Sequence, residues 1–282
     1  MFTLIYSKIK IWEENYHGNV RGNAVLTTYL QENSIDIDLN RKRPTILICP
    51  GGGYEYVSDR ENEPVAIKFL AEGFNVFTLK YDVAPSSQHP QPLLDVSRAM
   101  WIIRENSQKW NVDKDRIAVC GFSAGGHLAG SLGVLWSEEY ISKLSGMPEG
   151  INRPNAMILC YPVITSGLYA HKSSFDNLMG TNSSSYEPNM LSLEKRVNQN
   201  TPPTFIWHTY DDNIVPVENS LLFATALRES GIPFDLHIYN SGLHGLSLCS
   251  AETANAPVYI NPYVSSWFGL CTQWLKTLFN IK

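Results

Sequence analysis

Short apolar segments alternate with segments of helical periodicity over most of the chain, and this alternation constrains the fold more than any other feature. The apolar runs have the length of strands and cover residues 45–49, 74–80, 116–120, 156–161, 204–208 and 234–239. The helix-period segments cover 63–72, 92–107, a stretch that begins near 123, 217–230 and 264–279. Such alternation is typical of a parallel sheet with crossover helices, which predicts a doubly wound α/β architecture.

The beginning and the middle of the chain depart from this pattern. Residues 2–10 and 22–30 alternate apolar and polar side chains, which predicts two strands that pair antiparallel at an edge of the sheet. At 282 residues the chain has the size of one large α/β domain, so we predict a single domain over 1–282. Residues 162–200 show little periodicity, which favours a small lid or cap insertion.

Composition and charge argue against several classes of protein. The net charge is −5 and no Lys/Arg stripe occurs, so nucleic acid is not an expected partner. No segment approaches the roughly 18 apolar residues of a membrane span, and the N-terminal MFTLIYSKIKIW carries charges that the core of a signal peptide lacks. Five scattered cysteines are too few for a disulfide scaffold. We therefore expect a reduced, cytoplasmic protein that does not contact membranes.

A Gly-x-Ser-x-Gly motif lies where a strand gives way to a helix. Gly121-Phe-Ser123-Ala-Gly125 follows the apolar run that ends at Cys120 and opens a helix of small residues. The motif alone arises by chance in roughly one chain in ten of this length. Between a strand and a helix, however, it is typical of a nucleophile elbow. We predict that Ser123 is a nucleophile; the alternative is a tight turn with a capping serine.

A serine nucleophile needs a base that is oriented by an acid. When the serine lies on such an elbow, the acid and then the histidine follow on later strand-end loops. Asp211 and Asp212 come just after the strand that ends at His208, and both stay open as the acid. His244 follows the strand that ends at Tyr239 and is the predicted base. The other histidines precede the acid or have packing and loop positions: His17, His89, His127, His171, His208 and His237.

Neither a metal nor a cofactor is expected. His208, Asp211 and Asp212 are possible metal ligands by type, but no second His or Cys group with matching spacing accompanies them. The glycines at 51–53 lack the Gly-Lys-Ser/Thr ending of a phosphate loop, and Tyr56 stands where a dinucleotide fingerprint has glycine.

Several segments together match the motifs of one enzyme family. They are Pro50-Gly-Gly-Gly-Tyr54, Arg60-Glu-Asn-Glu-Pro64, Gly121-Phe-Ser-Ala-Gly-Gly-His-Leu128, Tyr161-Pro-Val163, and Pro202 to Thr209 with Asp212-Asn-Ile-Val-Pro216. From about residue 42 to the C-terminus the chain resembles bacterial α/β-hydrolase esterases described as acetylxylan-esterase-like, which are related to the hormone-sensitive-lipase group. The resemblance implies an α/β-hydrolase fold and a serine esterase whose partner is a small-molecule ester.

The resemblance also implies the groups that stabilise an oxyanion. In these families the glycine stretch supplies backbone N–H donors, which carries over to Gly52 and Gly53, joined by Ala124. One departure concerns the residue before the glycines, which is usually His in the lipase group and is Pro50 here. The backbone role of the glycines survives this change, because it needs no side chain.

The acid and the substrate class follow in the same way. The resemblance favours Asp212, three residues before Val215, over Asp211, for which a turn or capping role is the alternative. It implies short acyl groups, acetyl foremost, on sugars or other small alcohols. The alternatives are a peptidase of the prolyl-oligopeptidase kind and a non-catalytic binding module. Tyr54 and Tyr161 lie near the predicted carboxyl edge, where rings can stack on sugars; core positions are the alternative. The oligomeric state stays open, with a homodimer as one option.

Overall fold

The computed structural model describes residues 4–13, 18–180 and 188–281, and its centre is a sheet of eight strands. The strands are β1 (Leu4–Lys10), β2 (Val25–Gln31), β3 (Arg43–Cys49), β4 (Asn75–Lys80), β5 (Val112–Phe122), β6 (Ala156–Cys160), β7 (Thr204–Thr209) and β8 (Phe234–Tyr239). The helices are α1 (Glu63–Ala71), α2 (Gln91–Glu105), α3 (Ala124–Leu135), α4 (Glu139–Ser145), α5 (Lys172–Met179), α6 (Glu218–Glu229) and α7 (Trp267–Leu278). None of the helices in these ranges is long and apolar enough to cross a membrane.

The strand order across the sheet is β1-β2-β4-β3-β5-β6-β7-β8. The pairs β1–β2 and β2–β4 are antiparallel, and every pair from β4 to β8 is parallel. The predicted doubly wound sheet and its antiparallel N-terminal edge strands are therefore confirmed. Because the parallel strands run in one direction, their carboxyl ends lie at one edge of the sheet, and the loops that follow β3, β5, β7 and β8 meet there.

Helices cover both faces of the central strands. Every residue of β3, β6 and β7 is buried, as expected for parallel strands with two covered faces. Successive side chains point to opposite faces, so Leu47 packs in the layer with α2, α3 and α6, whereas Ile46 and Ile48 pack in the layer with α1 and α7. The two apolar layers hold the carboxyl edge of the sheet in a fixed position.

The segment predicted as a lid has regular structure of its own. Within 162–180 and 188–200 it contains α5 and two short 3-10 turns, Pro188–Leu191 and Leu193–Lys195; residues 181–187 lie outside the described part of the chain. Asn177 of α5 donates a hydrogen bond to the Gly53 carbonyl oxygen at 2.9 Å. The Leu191 carbonyl oxygen lies 2.8 Å from Nε2 of His127. The insertion is thus bonded to the glycines after β3 and to helix α3.

The five cysteines are all free thiols and all buried. Burial raises the pKa of Cys49, Cys160 and Cys271 well above the ordinary thiol value. These thiols stay protonated at neutral pH and belong to the core rather than to a reactive site.

Candidate active site

Ser123 lies on the sharp turn between β5 and α3. Its backbone angles, φ 53° and ψ −120°, are rare for an L-residue. Glycines permit this turn, because a Cβ on Gly121 would lie 2.1 Å from the Gly125 carbonyl oxygen, and one on Gly125 would lie 2.1 Å from that of Cys49. The Ser123 N–H donates to the Cys160 carbonyl oxygen at 3.0 Å. The turn therefore has the geometry of a nucleophile elbow.

The loops after β7 and β8 bring two of the predicted side chains to this serine. His244 Nε2 lies 2.7 Å from Ser123 Oγ, and His244 Nδ1 lies 2.7 Å from Asp212 Oδ2. The three residues form one continuous chain of hydrogen bonds from a hydroxyl to a carboxylate. An imidazole held in this way carries its proton on Nδ1 and can accept a hydroxyl proton at Nε2.

The Asp212 carboxylate is buried, and both of its oxygens accept hydrogen bonds. Oδ1 accepts from the N–H groups of Ile214 and Val215, both at 3.0 Å. Oδ2 lies 3.3 Å from Nε2 of His208, in addition to its contact with His244. Burial alone raises the pKa of this carboxyl, but the hydrogen bonds from His208 and His244 outweigh burial, so the pKa lies well below its ordinary value. Asp212 is ionised at neutral pH.

Asp211 makes different contacts from its neighbour. Its side chain is exposed, with Oδ2 accepting from Ser241 Oγ at 2.6 Å and Oδ1 accepting from the Gly242 N–H at 2.7 Å. These bonds lower the pKa of Asp211. Asp211 thus fastens the loop that leads to His244, while Asp212 bonds to the imidazole itself.

The alternative reading of His208 as a metal ligand does not fit its contacts. Nδ1 bonds to Ser220 Oγ at 2.8 Å, and Nε2 donates to the Val215 carbonyl oxygen at 2.9 Å. Both ring nitrogens are therefore occupied by protein groups. In the described parts of the chain, no three acid, His or Cys side chains are grouped so as to hold a metal ion.

His127 is a second buried histidine close to the site. Nε2 donates to the Leu191 carbonyl oxygen at 2.8 Å, and Nδ1 accepts from the Tyr54 hydroxyl at 2.9 Å. Burial lowers the pKa of His127 to about 4, so the ring is neutral at pH 7. His127 has the hydrogen-bonding role expected from its sequence position, whereas His17 lies outside the described residues.

The glycine loop, Gly51–Gly53, follows β3 and has an unusual backbone. Gly52 has a φ of 124° and Gly53 one of 64°, both in the region that favours glycine. A Cβ on Gly52 would lie 2.1 Å from the Tyr56 carbonyl oxygen. The Gly52 carbonyl oxygen accepts from the Tyr56 N–H at 3.1 Å, and that of Gly53 accepts from Asn177. The loop is therefore a fixed turn rather than a flexible link.

The N–H groups of this loop are divided between two uses. The Gly51 N–H donates to Glu61 Oε2 at 2.7 Å. By contrast, none of the acceptors in the described ranges pairs with the N–H groups of Gly52, Gly53 or Ala124. These are the three donors that the resemblance implied for an oxyanion, and they have bonding capacity to spare.

Two of these glycines, Gly52 and Gly53, line a cavity of about 360 Å³ together with Ser123 and His244. Several further lining residues were not predicted as site residues from the sequence: Arg60, Glu61, His171, Asn177 and Tyr259. The Arg60–Pro64 motif was a signal for the first two. The others lie in aperiodic segments, where no spacing rule indicates which side chain faces the serine.

Tyr54 and Tyr161 correct the expectation of rings that stack on substrate. Their side chains are only 2% and 1% exposed and lie outside the cavity wall. The Tyr54 hydroxyl bonds to His127, and the Tyr161 hydroxyl donates to Glu61 Oε1 at 2.7 Å. The Tyr161 ring packs edge-on against His244, with 5.1 Å between ring centroids. Both residues are core positions that support the site from beneath.

Comparison with known proteins identifies the family. The BD-FAE family model matches residues 35–227. The chain is 42% identical over 254 residues to an endo-1,4-beta-xylanase B of Butyrivibrio fibrisolvens, and 32% identical over 231 residues to an acetylxylan esterase of Xylanibacter ruminicola. These matches cover 86% and 79% of this chain but 38% and 44% of those proteins. The chain thus spans less than half the length of these curated relatives.

Solved structures with the same fold match over nearly the whole chain. The acetyl ester-xyloside bifunctional hydrolase of Caldicellulosiruptor lactoaceticus has a TM-score of 0.82 and 38% identity over 98% of this chain and 97% of that one. A carboxylesterase of Lactobacillus plantarum has a TM-score of 0.83 and 25% identity over 98% and 97%. Fold and relatives assign the chain to the α/β-hydrolase class. Within that class, the chain belongs to the BD-FAE family.

Proposed function

We propose that the chain is a serine esterase that removes short acyl groups, acetyl foremost, from sugars or other small alcohols. In this proposal Ser123 is the nucleophile, His244 the base and Asp212 the acid. One observation carries the proposal: two 2.7 Å hydrogen bonds connect the serine hydroxyl to a buried carboxylate through a single imidazole. Both the serine and the imidazole lie in the wall of a cavity.

Acylation begins when Ser123 Oγ attacks the ester carbonyl carbon and its proton moves to His244 Nε2. The carbonyl electron pair moves to the oxygen, which the N–H groups of Gly52, Gly53 and Ala124 stabilise. Such a donor is typically worth about 2.7–4 kcal/mol of transition-state stabilisation. The tetrahedral intermediate then re-forms the carbonyl and breaks the bond to the alcohol oxygen. The alcohol leaves with the proton from His244.

Deacylation repeats these steps with water in place of the serine hydroxyl. His244 accepts a proton from water, the hydroxide attacks the acyl carbon, and Ser123 leaves as the proton returns to its oxygen. In both halves the Asp212 carboxylate stabilises the imidazolium, and its lowered pKa keeps it ionised throughout the neutral range. The acid therefore acts by charge and orientation and is not itself protonated.

The cavity supports a small and polar substrate. Its volume of about 360 Å³ is near the lower end of the roughly 300–1,000 Å³ of small-molecule sites. Its wall includes Arg60, Glu61, His171 and Asn177 rather than a continuous apolar channel. Space of this kind suits an acetyl group on a hydroxylated alcohol better than a long acyl chain. The acetylxylan esterase and the acetyl ester-xyloside hydrolase among the relatives support the same substrate class.

Turnover of a graded substrate series tests this function. We expect kcat/KM to be highest for p-nitrophenyl acetate, to fall at least about tenfold from acetate to octanoate, and to be measurable on acetylated xylo-oligosaccharides. Ser123→Ala should lower kcat/KM at least about 10³-fold, because the covalent step is lost. Faster cleavage of peptide amides than of esters would favour the peptidase alternative. An alanine variant that keeps most of the activity would contradict the proposal.

A further inference from the structure

Glu61 is a buried carboxylate beside the proposed site that the reaction above does not use. Glu61 is the last residue of the short 3-10 turn Asp59–Glu61 and is only 4% exposed. In the described parts of the chain, no ion pair includes it. A buried carboxylate without a cation costs stability, and an apolar side chain of similar shape usually costs less. Stability alone is therefore a poor account of this residue.

The carboxylate connects two loops of the site. Oε2 accepts from the Gly51 N–H at 2.7 Å, and Oε1 accepts from the Tyr161 hydroxyl at 2.7 Å. The Gly51 contact is short for an N–H···O bond, and the Tyr161 contact lies within the range for a hydroxyl that donates to a carboxylate. The Tyr161 oxygen in turn accepts from the Ser247 N–H at 2.9 Å, and Ser247 is three residues after His244. One side chain thus joins the glycine loop to the loop of the proposed base.

The backbone and side chain of Arg60 hold the same turn from the other side. The Arg60 carbonyl oxygen accepts from Ser247 Oγ at 2.7 Å, and Arg60 Nε donates to the Thr253 carbonyl oxygen at 2.8 Å. The guanidinium also donates to the Gly245 carbonyl oxygen and lies 4.3 Å from the ring centroid of Tyr259. The turn that presents Glu61 is therefore fixed to the His244 loop.

Glu61, Gly51 and Ser123 are close enough for small movements to matter. A Cβ on Gly51 would lie 2.7 Å from Glu61 Oε2 and 3.1 Å from Ser123 Cβ. Holding the Gly51 peptide also limits where the next two peptides can lie, since they follow directly in a fixed turn. Donors to an oxyanion act at about 2.7–3.1 Å from the oxygen. A shift of a few tenths of an ångström in the glycine loop would weaken them.

We propose that Glu61 is a positioning residue for ester hydrolysis. By holding the Gly51 N–H on one carboxylate oxygen and the Tyr161 hydroxyl on the other, it sets the N–H groups of Gly52 and Gly53 at hydrogen-bond distance from the oxyanion that forms when Ser123 attacks the ester. This inference rests on the proposed function, because it concerns the same transition state. Glu61 itself neither receives nor gives a proton in the reaction.

Substitutions at Glu61 and at a neighbouring acid test this role. Glu61→Gln keeps one acceptor oxygen, Glu61→Ala keeps none, and Tyr161→Phe removes the hydroxyl at the other end of the contact. Asp59→Asn is the matched control, because it removes an exposed carboxylate from the same turn. Sites are counted by titration with a serine-directed phosphonate, so that unfolded protein is excluded from the rates. The ligand probe is 1,1,1-trifluoroacetone, whose hemiketal oxygen occupies the oxyanion position.

We expect Glu61→Gln to lower kcat for p-nitrophenyl acetate about 10- to 100-fold, below the 10²–10³ of losing a donor outright. KM should change by less than about threefold, while the inhibition constant of trifluoroacetone rises by about the same factor as kcat falls. Glu61→Ala should be more damaging, Tyr161→Phe should change in the same direction, and Asp59→Asn should stay within about twofold of the wild type.

Several results would overturn the inference. Unchanged kcat per titrated site in Glu61→Gln would show that the glycine loop holds its position alone. A fall in kcat with an unchanged inhibition constant would show that Glu61 acts on another step. In either case an active wild type and an inactive Ser123→Ala would leave the proposed function standing. A wild type that cleaves no ester would instead remove the proposed function, and this inference with it.

Discussion

Two adjacent aspartates show how much a single position decides at this site. Asp212 is buried, accepts four contacts and bonds to the imidazole of His244. Asp211 is exposed and bonds to the loop between β8 and His244. The two residues have the same chemistry, so their different surroundings determine their different roles. The burial of Asp212 also strengthens its interaction with an imidazolium, because the local dielectric is low.

Substitution of each aspartate by asparagine should separate these roles. Asp212→Asn should lower kcat about 10²- to 10⁴-fold, because an amide can stabilise the wrong tautomer and carries no charge. Asp211→Asn should change kcat by less than about fivefold, since only a loop contact in solvent is weakened. Steady-state kinetics on p-nitrophenyl acetate measure both effects. Greater damage from Asp211→Asn would reverse the assignment of the acid.

The sequence predicts some of these residues better than others. Motif and chain order indicate Ser123 and His244, because strand-end loops must lie at one edge of a parallel sheet. Spacing cannot indicate which way a ring turns at that edge, and this is why Tyr54 and Tyr161 were expected in the substrate site. The Arg60–Pro64 motif includes Glu61, but its burial was hidden, because charged residues are normally exposed and only the structure shows that this one is buried.

At the scale of elements, helix α3 bonds to two of the segments that surround the site. His127, on the first turn of α3, bonds to Tyr54 just after the glycine loop and to Leu191 of the insertion. Its neutral ring is sealed inside the protein, at 1% exposure. His127 therefore bonds the insertion to helix α3. Because these hydrogen bonds need a neutral ring, their strength should depend on pH.

The buried His127 should make the fold sensitive to acid. Its pKa is about 4 in the folded protein and about 6.5 when unfolded, so the unfolded chain binds the proton first as pH falls. Stability from this group is complete above pH 6.5 and is lost between about 6.5 and 4, by roughly 3 kcal/mol in all. Urea unfolding at several pH values should show a shallower pH slope for His127→Gln than for the wild type. Equal slopes would show that other groups control acid unfolding.

The strands and helices with a clear hydrophobic periodicity were predictable from the sequence, and the short helices without one were not. The six parallel strands and helices α1, α2, α3, α6 and α7 were predicted within a few residues, because buried strands and amphipathic helices carry strong patterns. Helices α4 and α5 were missed. They have seven and eight residues, which is about two turns, and such short helices form through tertiary contacts rather than through a pattern of their own.

At the scale of the whole molecule, the parallel sheet brings residues that are far apart in the sequence into contact. Ser123 and His244 are 121 residues apart, and Asp212 and His244 are 32 apart, yet each pair is in hydrogen-bond contact. The strand order places β5 and β7 on either side of β6, so Ser123 and Asp212, the proposed nucleophile and acid, lie two strands apart with the imidazole of His244 between them. The fold therefore accounts for the chain order Ser, Asp, His of the proposed triad, and β3 places the glycine loop beside the end of β5.

The most direct test of the account is a crystal structure of the protein after reaction with a small serine-directed methylphosphonate. We predict one covalent adduct, on Ser123 Oγ, with a phosphoryl oxygen about 2.7–3.1 Å from the N–H groups of Gly52, Gly53 and Ala124. His244 should remain within hydrogen-bond distance of the adduct. An adduct on another residue, or one on Ser123 whose phosphoryl oxygen points away from the glycine loop, would contradict the proposed mechanism.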